Sequence, residues 1–298
     1  MDKVYIGDRY YDFVWNFKED RELRCGFNSL ARDVFDFDFE DYYLSGYWND
    51  RYVPYALMDG GKVVANVSVN ILDFFSCGEV KRYIQIGIVM TDRAYRGRGL
   101  SRYLPERVIS EWKGKSEMIY LFANDTVVDF YPKFGFAKKT EYQYAKAIAG
   151  GDGTPRYLEM EDPQNRALLL RLSESTRPFS NLTALRNTGL VMFYATSFMK
   201  DDFYYVEGMD AAVFARYDDR TLYLNDVFCP GELSIDEVIS VMAKRDTNQM
   251  VLGFTPLDTD GYSCNTYSQE NETLFVLTDG EKSVFDDHRL MLPILSHA

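Results

Sequence analysis

Apolar residues recur at helical spacing in the first organised stretch of the chain. Over residues 21–35 they are separated by four, three and four positions, at Leu23, Phe27, Leu30 and Val34. That spacing places them on one face of an α-helix. Residues 36–48 then mix aromatic and acidic side chains without a clean period. We therefore predict an amphipathic helix over 21–35, followed by a loop and a short helix beside a cleft.

From residue 55 the pattern changes to that of strands. Residues 55–58 and the Val-rich stretch 62–75 flank an Asp-Gly-Gly turn, and polar and apolar side chains alternate along the second stretch. This arrangement predicts a β-hairpin. A further strand is predicted over residues 82–91.

A glycine-rich loop separates that strand from the next helix. Residues 95–101 read Tyr-Arg-Gly-Arg-Gly-Leu-Ser, and the apolar positions from Leu100 to Trp112 mark one helical face. The first half therefore has the order strand, glycine loop, helix. Downstream, the pattern predicts a strand over 118–123, a short helix over 127–134 with Asp125 as its N-cap, and a strand over 136–148.

The clearest linker composition lies at residues 150–155, which read Gly-Gly-Asp-Gly-Thr-Pro. We place there the boundary between a domain of residues 1–149 and a domain of residues 156–298. Beyond it the pattern predicts a helix over 163–173, a helix within 180–200, a hairpin of 210–217 and 221–228, a helix that includes 235–242, and a strand over 250–254. This order repeats that of the first half, so the second half is either a weak duplication or an α/β half with the same connection rules.

Composition and charge argue against several classes of protein. The net charge of −13 is unsuited to a nucleic-acid binder, which needs clustered Lys and Arg. No apolar run approaches the roughly 20 residues of a membrane span, and no cationic flank with an apolar block opens the chain. We therefore expect a cytoplasmic protein. Four scattered cysteines and two histidines form no zinc or disulfide pattern, so no metal is expected.

The charge is unevenly distributed along the chain. Residues 1–150 carry a net charge of −1, whereas residues 151–298 carry −12. An acidic half would attract a cationic ligand. Solubility alone accounts for such a charge equally well.

The loop Arg96-Gly97-Arg98-Gly99 is the strongest candidate for chemistry. Backbone N–H groups and the dipole of the following helix can point together at an anion, and glycines let phosphate oxygens approach the backbone. Two arginines suit a diphosphate better than a single carboxylate. Taken alone, the loop is equally consistent with a tight turn that carries solvated arginines.

Two spaced motifs resemble the GNAT superfamily of acetyl-CoA-dependent N-acetyltransferases. The first is the loop from Arg96 to Ser101, which follows a long strand; the second is Asn124 at a strand end, followed by Phe-Tyr-Pro-Lys-Phe-Gly-Phe over residues 130–136. Ser101 departs from the Gly or Ala of the family pattern but is still small. The resemblance covers residues 20–148. It implies an α/β GNAT fold with a mixed sheet, followed by a second α+β unit that is a degenerate GNAT copy if the chain is duplicated.

The resemblance also implies roles for individual residues. Acetyl-CoA would be the cosubstrate, Asn124 would contact its arm, and Tyr131 would be the general acid near the sulfur. A phenol with a pKa of about 10 can protonate a thiolate whose conjugate acid has a pKa near 8.5. A bulge at Val89, Met90 and Thr91 would pair with pantetheine, with the Met90 N–H as oxyanion donor, and the pyrophosphate would be held by Arg96, Gly97, Arg98, Gly99, Leu100 and Ser101.

Structural alternatives remain open for two of these residues. Tyr131 shares helical spacing with Val127, Val128 and Phe134, as a core aromatic residue would. Asn124 is also consistent with a turn or cap beside Asp125.

The sequence does not single out a general base for the acceptor amine. Glu40, Asp41 and Asp92 are candidates, and each is also consistent with a solvated surface charge. Related multidomain GNAT enzymes that acetylate aminoglycosides use their terminal carboxylate, which here directs attention to Ala298 and its neighbour His297. An exposed tail is the alternative.

Two further features bear on the acceptor. Tyr42, Tyr43, Tyr47 and Trp48 lie where GNAT folds place the segment that borders it, and are expected either to wall the acceptor site or to pack against the second half. The second half offers only the acidic turn 228–232 where a phosphate loop would lie. If the second half is a GNAT-like unit, we expect it to close or electrostatically bias the acceptor cleft rather than bind cofactor.

The implied function is acetyl transfer from acetyl-CoA to a primary amine of a cationic small molecule or a peptide. Nucleic acid and membrane are not expected partners. Alternatives are transfer of another acyl group, transfer to a peptide N-terminus, and a sensor that binds acyl-CoA without turnover and signals through the second half.

Overall fold

The computed structural model describes residues 1–280 and 282–297. Its first helix has the predicted bounds, because Asp20 caps it by accepting hydrogen bonds from the backbone N–H groups of Glu22 and Leu23 at 3.0 and 3.1 Å. The helices are α1 (Arg21–Phe35), α2 (Glu40–Leu44), α3 (Leu100–Trp112), α4 (Pro163–Ser175), α5 (Thr188–Thr196), α6 (Ile235–Met242) and α7 (Val284–Asp287).

Strands make up most of the remaining regular structure. They are β1 (Asp2–Ile6), β2 (Arg9–Trp15), β3 (Tyr52–Asp59), β4 (Lys62–Ser76), β5 (Glu79–Thr91), β6 (Met118–Ala123), β7 (Ala137–Lys138), β8 (Glu141–Ala147), β9 (Arg156–Tyr157), β10 (Leu182–Leu185), β11 (Phe203–Val206), β12 (Ala211–Asp218), β13 (Thr221–Phe228), β14 (Gln249–Leu252), β15 (Ser263–Tyr267) and β16 (Thr273–Leu277).

These strands form two mixed sheets. The first has the order β1-β2-β3-β4-β5-β6-β16-β7, with β10 paired to the end of β4; the second has the order β15-β8-β14-β13-β12-β11-β9. Each sheet contains a parallel pair joined by a helix: α3 joins β5 to β6, and α6 joins β13 to β14. The architecture is mixed α/β, as the sequence predicts.

The two sheets exchange strands. β16 comes from the second half of the chain and lies between β6 and β7 of the first sheet, whereas β8 lies between β14 and β15 of the second. The predicted division into residues 1–149 and 156–298 therefore does not coincide with the division between sheets, and it stays a prediction. Residues 150–155 pack against the end of α6, where Gly151 and Gly153 donate backbone hydrogen bonds to the carbonyls of Lys244 and Ala243.

Several local predictions are corrected. The expected helix over 127–134 consists of two 3₁₀ turns, Asp125–Val127 and Tyr131–Phe134, and Asn124 rather than Asp125 is the cap. The strand expected over 136–148 breaks between β7 and β8, which lets its two parts join different sheets. The helix expected within 180–200 is β10 followed by α5.

The first sheet is covered on both faces. Leu100, Leu104 and Val108 of α3 pack against one face, while Phe27 and Leu30 of α1 pack against the other. Phe193 of α5 joins the α1 side, so the second half of the chain contributes to this layer.

Candidate active site

The parallel strands β5 and β6 open a cleft at the centre of the first sheet. They pair only from Tyr83 and Met118 to Gln85 and Tyr120, so their carboxyl ends diverge. The resulting cavity has a volume of about 700 Å³. This lies within the range of small-molecule sites. Its lining includes Ile86, Gly87, Ile88, Val89, Thr91, Arg96, Gly97, Ser101, Phe122, Asn124, Val127, Phe130 and Tyr131.

A bulge interrupts β5 beside this cavity. Asn66 of β4 pairs with Met90 and Ser68 pairs with Gly87, so Ile88 and Val89 together face Val67. Ile88 has a φ of +49°, a conformation that is costly for a β-branched residue. The bulge is therefore centred on Ile88 and Val89, one residue earlier than the sequence predicts.

Met90 itself does not line the cavity. Its side chain is buried with the α1 core, whereas Val89 and Thr91 lie on the cavity wall. Ile88 and Val89 form the bulge and line the cavity, so their N–H groups are further candidates for the oxyanion donor, and the predicted role of the Met90 N–H stays a prediction.

Buried polar side chains support the bulge from β4. Asn66 Nδ2 donates to the Ile88 carbonyl at 2.9 Å and to Ser68 Oγ at 3.0 Å, and Tyr52 OH donates to Ser68 Oγ at 2.9 Å. Asn66 is fully buried, and its Oδ1 has no hydrogen-bond partner among the described residues. Asn66 thus holds the carbonyl of the residue with the strained φ.

The glycine loop lies at one end of the cavity. Gly97 and Gly99 have φ values of +76° and +86°, and α3 begins directly after Gly99. Arg96, Gly97 and Ser101 line the cavity. Positive-φ glycines, a helix N-terminus and an arginine fit the diphosphate of a coenzyme A group.

The other predicted loop residues are placed differently. Arg98 turns its guanidinium away, donating from Nη2 to the Ala94 carbonyl at 2.9 Å and lying over the Tyr95 ring at 4.8 Å. Leu100 is buried in the α3 core. Gly99 forms the helix cap and, with Arg98 and Leu100, is not part of the cavity wall.

Tyr131 belongs both to the core and to the cavity. Its ring packs against Phe136 at 6.1 Å and Phe275 of β16 at 5.9 Å, and it also lines the cavity. Its hydroxyl has no hydrogen-bond partner among the described residues, and burial raises the pKa of Tyr131 to about 12. The phenol therefore stays protonated across physiological pH. Asn124 lines the same cavity while its Oδ1 accepts from the Thr126 N–H at 3.0 Å.

None of the three acidic candidates lines the cavity. Glu40 accepts from Asn28 Nδ2 at 2.9 Å and pairs with Arg24 at 3.3 Å. Asp92 pairs with Lys62 and accepts from the Ala94 N–H, interactions that lower the pKa of its carboxyl group. Asp41 is exposed to solvent on α2.

The end of the chain runs behind the cavity. Ala298 lies outside the described residues. His297 is buried: its ring stacks on Phe122 with 3.8 Å between centroids, and its Nδ1 lies 3.3 Å from Glu272 Oε2. The His297 carbonyl accepts a hydrogen bond from Tyr194 OH. Since Phe122 and Tyr194 line the cavity, the described part of the tail supports its wall and is not an exposed tail.

Further aromatic residues wall the cavity on the α1 side. Of the predicted wall, Tyr42 lines the cavity, whereas Tyr43, Tyr47 and Trp48 pack behind it. The predicted wall does not include Phe35, Phe37, Phe39 or the α5 region, which also line the cavity. The alternation of Phe with Asp over 35–39 was a visible signal, but the position of α5 was not. The α5 region contributes Leu190, Phe193, Tyr194 and Phe198.

The second sheet repeats the bulge but closes the cleft. Phe214 pairs with Asp226 and Ala215 with Leu224, which leaves Asn225 as the extra residue. Gly253 approaches so closely that a Cβ there would lie 2.8 Å from Asn225 Cα, and its N–H donates to the Leu224 carbonyl at 2.9 Å. A repeated bulge beside a parallel pair is what a duplication would leave, and the close approach of Gly253 to Asn225 leaves no gap between these two residues.

Metal and membrane features were searched over the described residues. These residues contain no group of three or more His, Cys, Asp or Glu placed to hold a metal ion. None of the described helices combines the length and the apolar character needed to cross a membrane.

Comparison with known proteins finds a family match in the first half of the chain and a shared fold over most of it. A family model described as an acetyltransferase (GNAT) domain matches residues 21–138. A GCN5-related N-acetyltransferase from Kribbella flavida is 16% identical, with a TM-score of 0.53 over 90% of this chain and 72% of that chain. No curated protein sequence matches.

Two more solved structures share the fold over nearly the whole chain. A conserved protein of unknown function from Enterococcus faecalis V583 is 13% identical, with a TM-score of 0.57 over 90% of this chain and 72% of that chain. Eis1 from Mycobacterium abscessus is 14% identical, with a TM-score of 0.54 over 89% of this chain and 72% of that chain. At these identities the likeness is one of fold.

Proposed function

We propose that this chain transfers an acetyl group from acetyl-CoA directly to a primary amine of a small molecule. The match of residues 21–138 to a GNAT acetyltransferase domain model supports this proposal. The observation that carries the proposal is one continuous cavity. It joins the anion-binding loop at Arg96 and Gly97, the bulge at Ile88 and Val89, and the unpaired hydroxyl of Tyr131.

Each of these parts has a task in the proposed reaction. Acetyl-CoA supplies the activated thioester. The loop binds the diphosphate, and a backbone N–H of the bulge stabilises the oxyanion that forms when the amine attacks the carbonyl carbon. Such a donor is worth about 2.7–4 kcal/mol in other enzymes. Tyr131 gives its proton to the departing thiolate, and the proton lost by the amine passes to solvent water and restores the phenol.

The described residues that line the cavity include no thiol, and no His, Lys, Asp or Glu that would activate the hydroxyl of Thr91 or Ser101 as a nucleophile. Of the described residues that line the cavity, none is a cysteine, and Cys25, Cys77, Cys229 and Cys264 lie elsewhere. The amine therefore attacks the thioester directly.

Calorimetric titration with acetyl-CoA, followed by measurement of thiol release with a panel of amines, tests the proposal. We expect binding, and release that depends on an amine. Binding without release for any amine would favour an acyl-CoA sensor, and no binding would contradict the role of the loop.

A further inference from the structure

The part of the cavity not assigned to acetyl-CoA has an aromatic wall. We define this aromatic wall as Phe37, Phe39, Tyr42, Phe193 and Phe198. Its rings are in mutual contact: Phe37 and Phe198 centroids lie 5.1 Å apart, Phe39 and Phe193 lie 5.4 Å apart, and Phe193 and Phe198 lie 5.7 Å apart. Phe193 comes from α5 and Phe198 from the loop that follows it, so both halves of the chain contribute to the wall.

The cavity lacks the negative charge that a polycation would require. Among the described residues that line it, none is Asp or Glu, and the charged group present is the cation Arg96. Four acidic residues are adjacent in sequence to rings of the wall. Asp38 is paired with Arg32 and Glu40 with Arg24, while Asp36 and Asp41 are exposed and are not part of the cavity lining. A second ammonium would lose its hydration here without meeting a counter-ion. The cation–π attraction between the aromatic rings and a second ammonium is weak compared with the hydration that the ammonium would lose.

An apolar wall also helps the chemistry. An amine must be neutral to attack, and burial in apolar surroundings disfavours its charged form. The wall therefore favours the neutral, reactive form of the amine. This matters because the candidate bases Glu40, Asp41 and Asp92 are all absent from the cavity lining.

We propose that the acceptor is a monoamine with an apolar or aromatic body, which packs against the aromatic wall while its amine reaches the thioester. This inference rests on the proposed acetyl transfer and names its acceptor class. It replaces the cationic acceptor expected from the overall charge, because the charge of the second half lies outside the cavity lining.

A matched pair of amines tests the acceptor class. Hexylamine and 1,6-diaminohexane have the same length and differ by one ammonium group. With acetyl-CoA held at saturation, we expect kcat/KM from thiol release to be at least tenfold higher for hexylamine. An equal or higher value for the diamine would overturn the proposal.

A variant of the wall tests whether these rings set the preference. Phe198 is 58% exposed, so Phe198→Asp places a carboxylate at the wall with little effect on folding, and Val80→Asp on the remote end of β5 is the matched control because Val80 is 67% exposed. We expect Phe198→Asp to reduce the preference for hexylamine at least tenfold and Val80→Asp to preserve it. Equal preference in both variants, with unchanged thermal unfolding, would overturn the role of the wall.

Two further arms separate this proposal from acetyl transfer itself. If neither amine releases thiol, calorimetric binding of each amine to protein saturated with coenzyme A still tests the acceptor class. Tighter binding of hexylamine supports the proposal, and equal binding overturns it.

The other experiment compares hexanoyl-CoA with acetyl-CoA, using ethylamine as acceptor. Faster transfer from hexanoyl-CoA, with no advantage of hexylamine over ethylamine, would assign the wall to the acyl chain and overturn the proposal.

Discussion

Asn66 gives the most direct test of how the bulge is maintained. Its Nδ2 donates to the Ile88 carbonyl at 2.9 Å, and Ile88 holds a φ of +49°. Asn66→Asp keeps the shape of the side chain but cannot donate this hydrogen bond when ionised. Asn66→Ala removes the donor altogether.

The expected size of the effect follows from these contacts. An unpaired buried carbonyl costs about 1–3 kcal/mol, and the strained φ of Ile88 costs a similar amount that the native contacts must offset. If the bulge loses about 1–3 kcal/mol of support, the population of the competent conformation falls about 5- to 150-fold. We expect kcat/KM to fall by that factor. For Asn66→Ala the free energy of unfolding should fall less, by about 1–2 kcal/mol, because relaxation of Ile88 recovers part of the loss. The buried carboxylate of Asn66→Asp should lower the free energy of unfolding further.

Thiol release with acetyl-CoA and urea unfolding measure the two effects. Ser76→Ala is the matched control, since Ser76 is buried on the same strand and its Oγ accepts from Tyr83 OH at 2.8 Å, far from the bulge. It should lower stability by about 1 kcal/mol and leave kcat/KM unchanged. If both Asn66 variants lost stability but kept wild-type kcat/KM, Asn66 would not be what holds the bulge in its active form.

Three more predictions follow from the site and the core. Tyr131→Phe should lower kcat by about 10²- to 10⁴-fold with unchanged acetyl-CoA affinity. Because the pKa of Tyr131 is about 12, the wild-type kcat should not fall from ionisation of the phenol below about pH 10. A fall in kcat as the pH rises past neutrality would refute the role of Tyr131. Arg96→Ala should weaken acetyl-CoA binding about tenfold at low salt and less at high salt. Arg98→Ala should change acetyl-CoA binding little, because the Arg98 guanidinium donates to the Ala94 carbonyl. Calorimetry of both variants at two salt concentrations tests this difference. Burial raises the pKa of Glu141 above its ordinary value of 4.5, so the folded state retains the proton longer and the free energy of unfolding should decline as pH rises above about 4.5. Glu141→Gln keeps an oxygen for the Leu292 N–H and should flatten that decline in urea unfolding between pH 4.5 and 8; an unchanged slope would contradict the assignment.

Local signals in the sequence were sufficient for elements that carry their own pattern. α1 has one apolar face and a capping Asp20, and β6 is a short apolar run, so both lie at their predicted bounds. The sequence also carries a signal for the hairpin β1–β2 that was not used: two runs rich in Tyr, Val, Phe and Trp flank the two-residue turn Gly7-Asp8. α5 was misplaced because it buries residues around most of its circumference and so lacks an amphipathic period.

Other features depend on contacts that are distant in sequence. The break between β7 and β8 and the insertion of β16 are set by pairing across the chain, which local periodicity does not encode. The exact position of the bulge depends on a side chain of the neighbouring strand, because Asn66 holds Ile88. The motif indicated the region of the site, whereas the aromatic wall required the placement of α5 beside residues 35–39.

The exchange of β8 and β16 links the order of synthesis to folding. Until Leu277 has left the ribosome, β6 has an unpaired edge, and Tyr131 lacks its contact with Phe275. Closing a loop of this length is slow compared with local helix formation. The first sheet is therefore completed only after β16 has been synthesised, and a fragment that ends before β16 would leave β6 open to pairing with another chain.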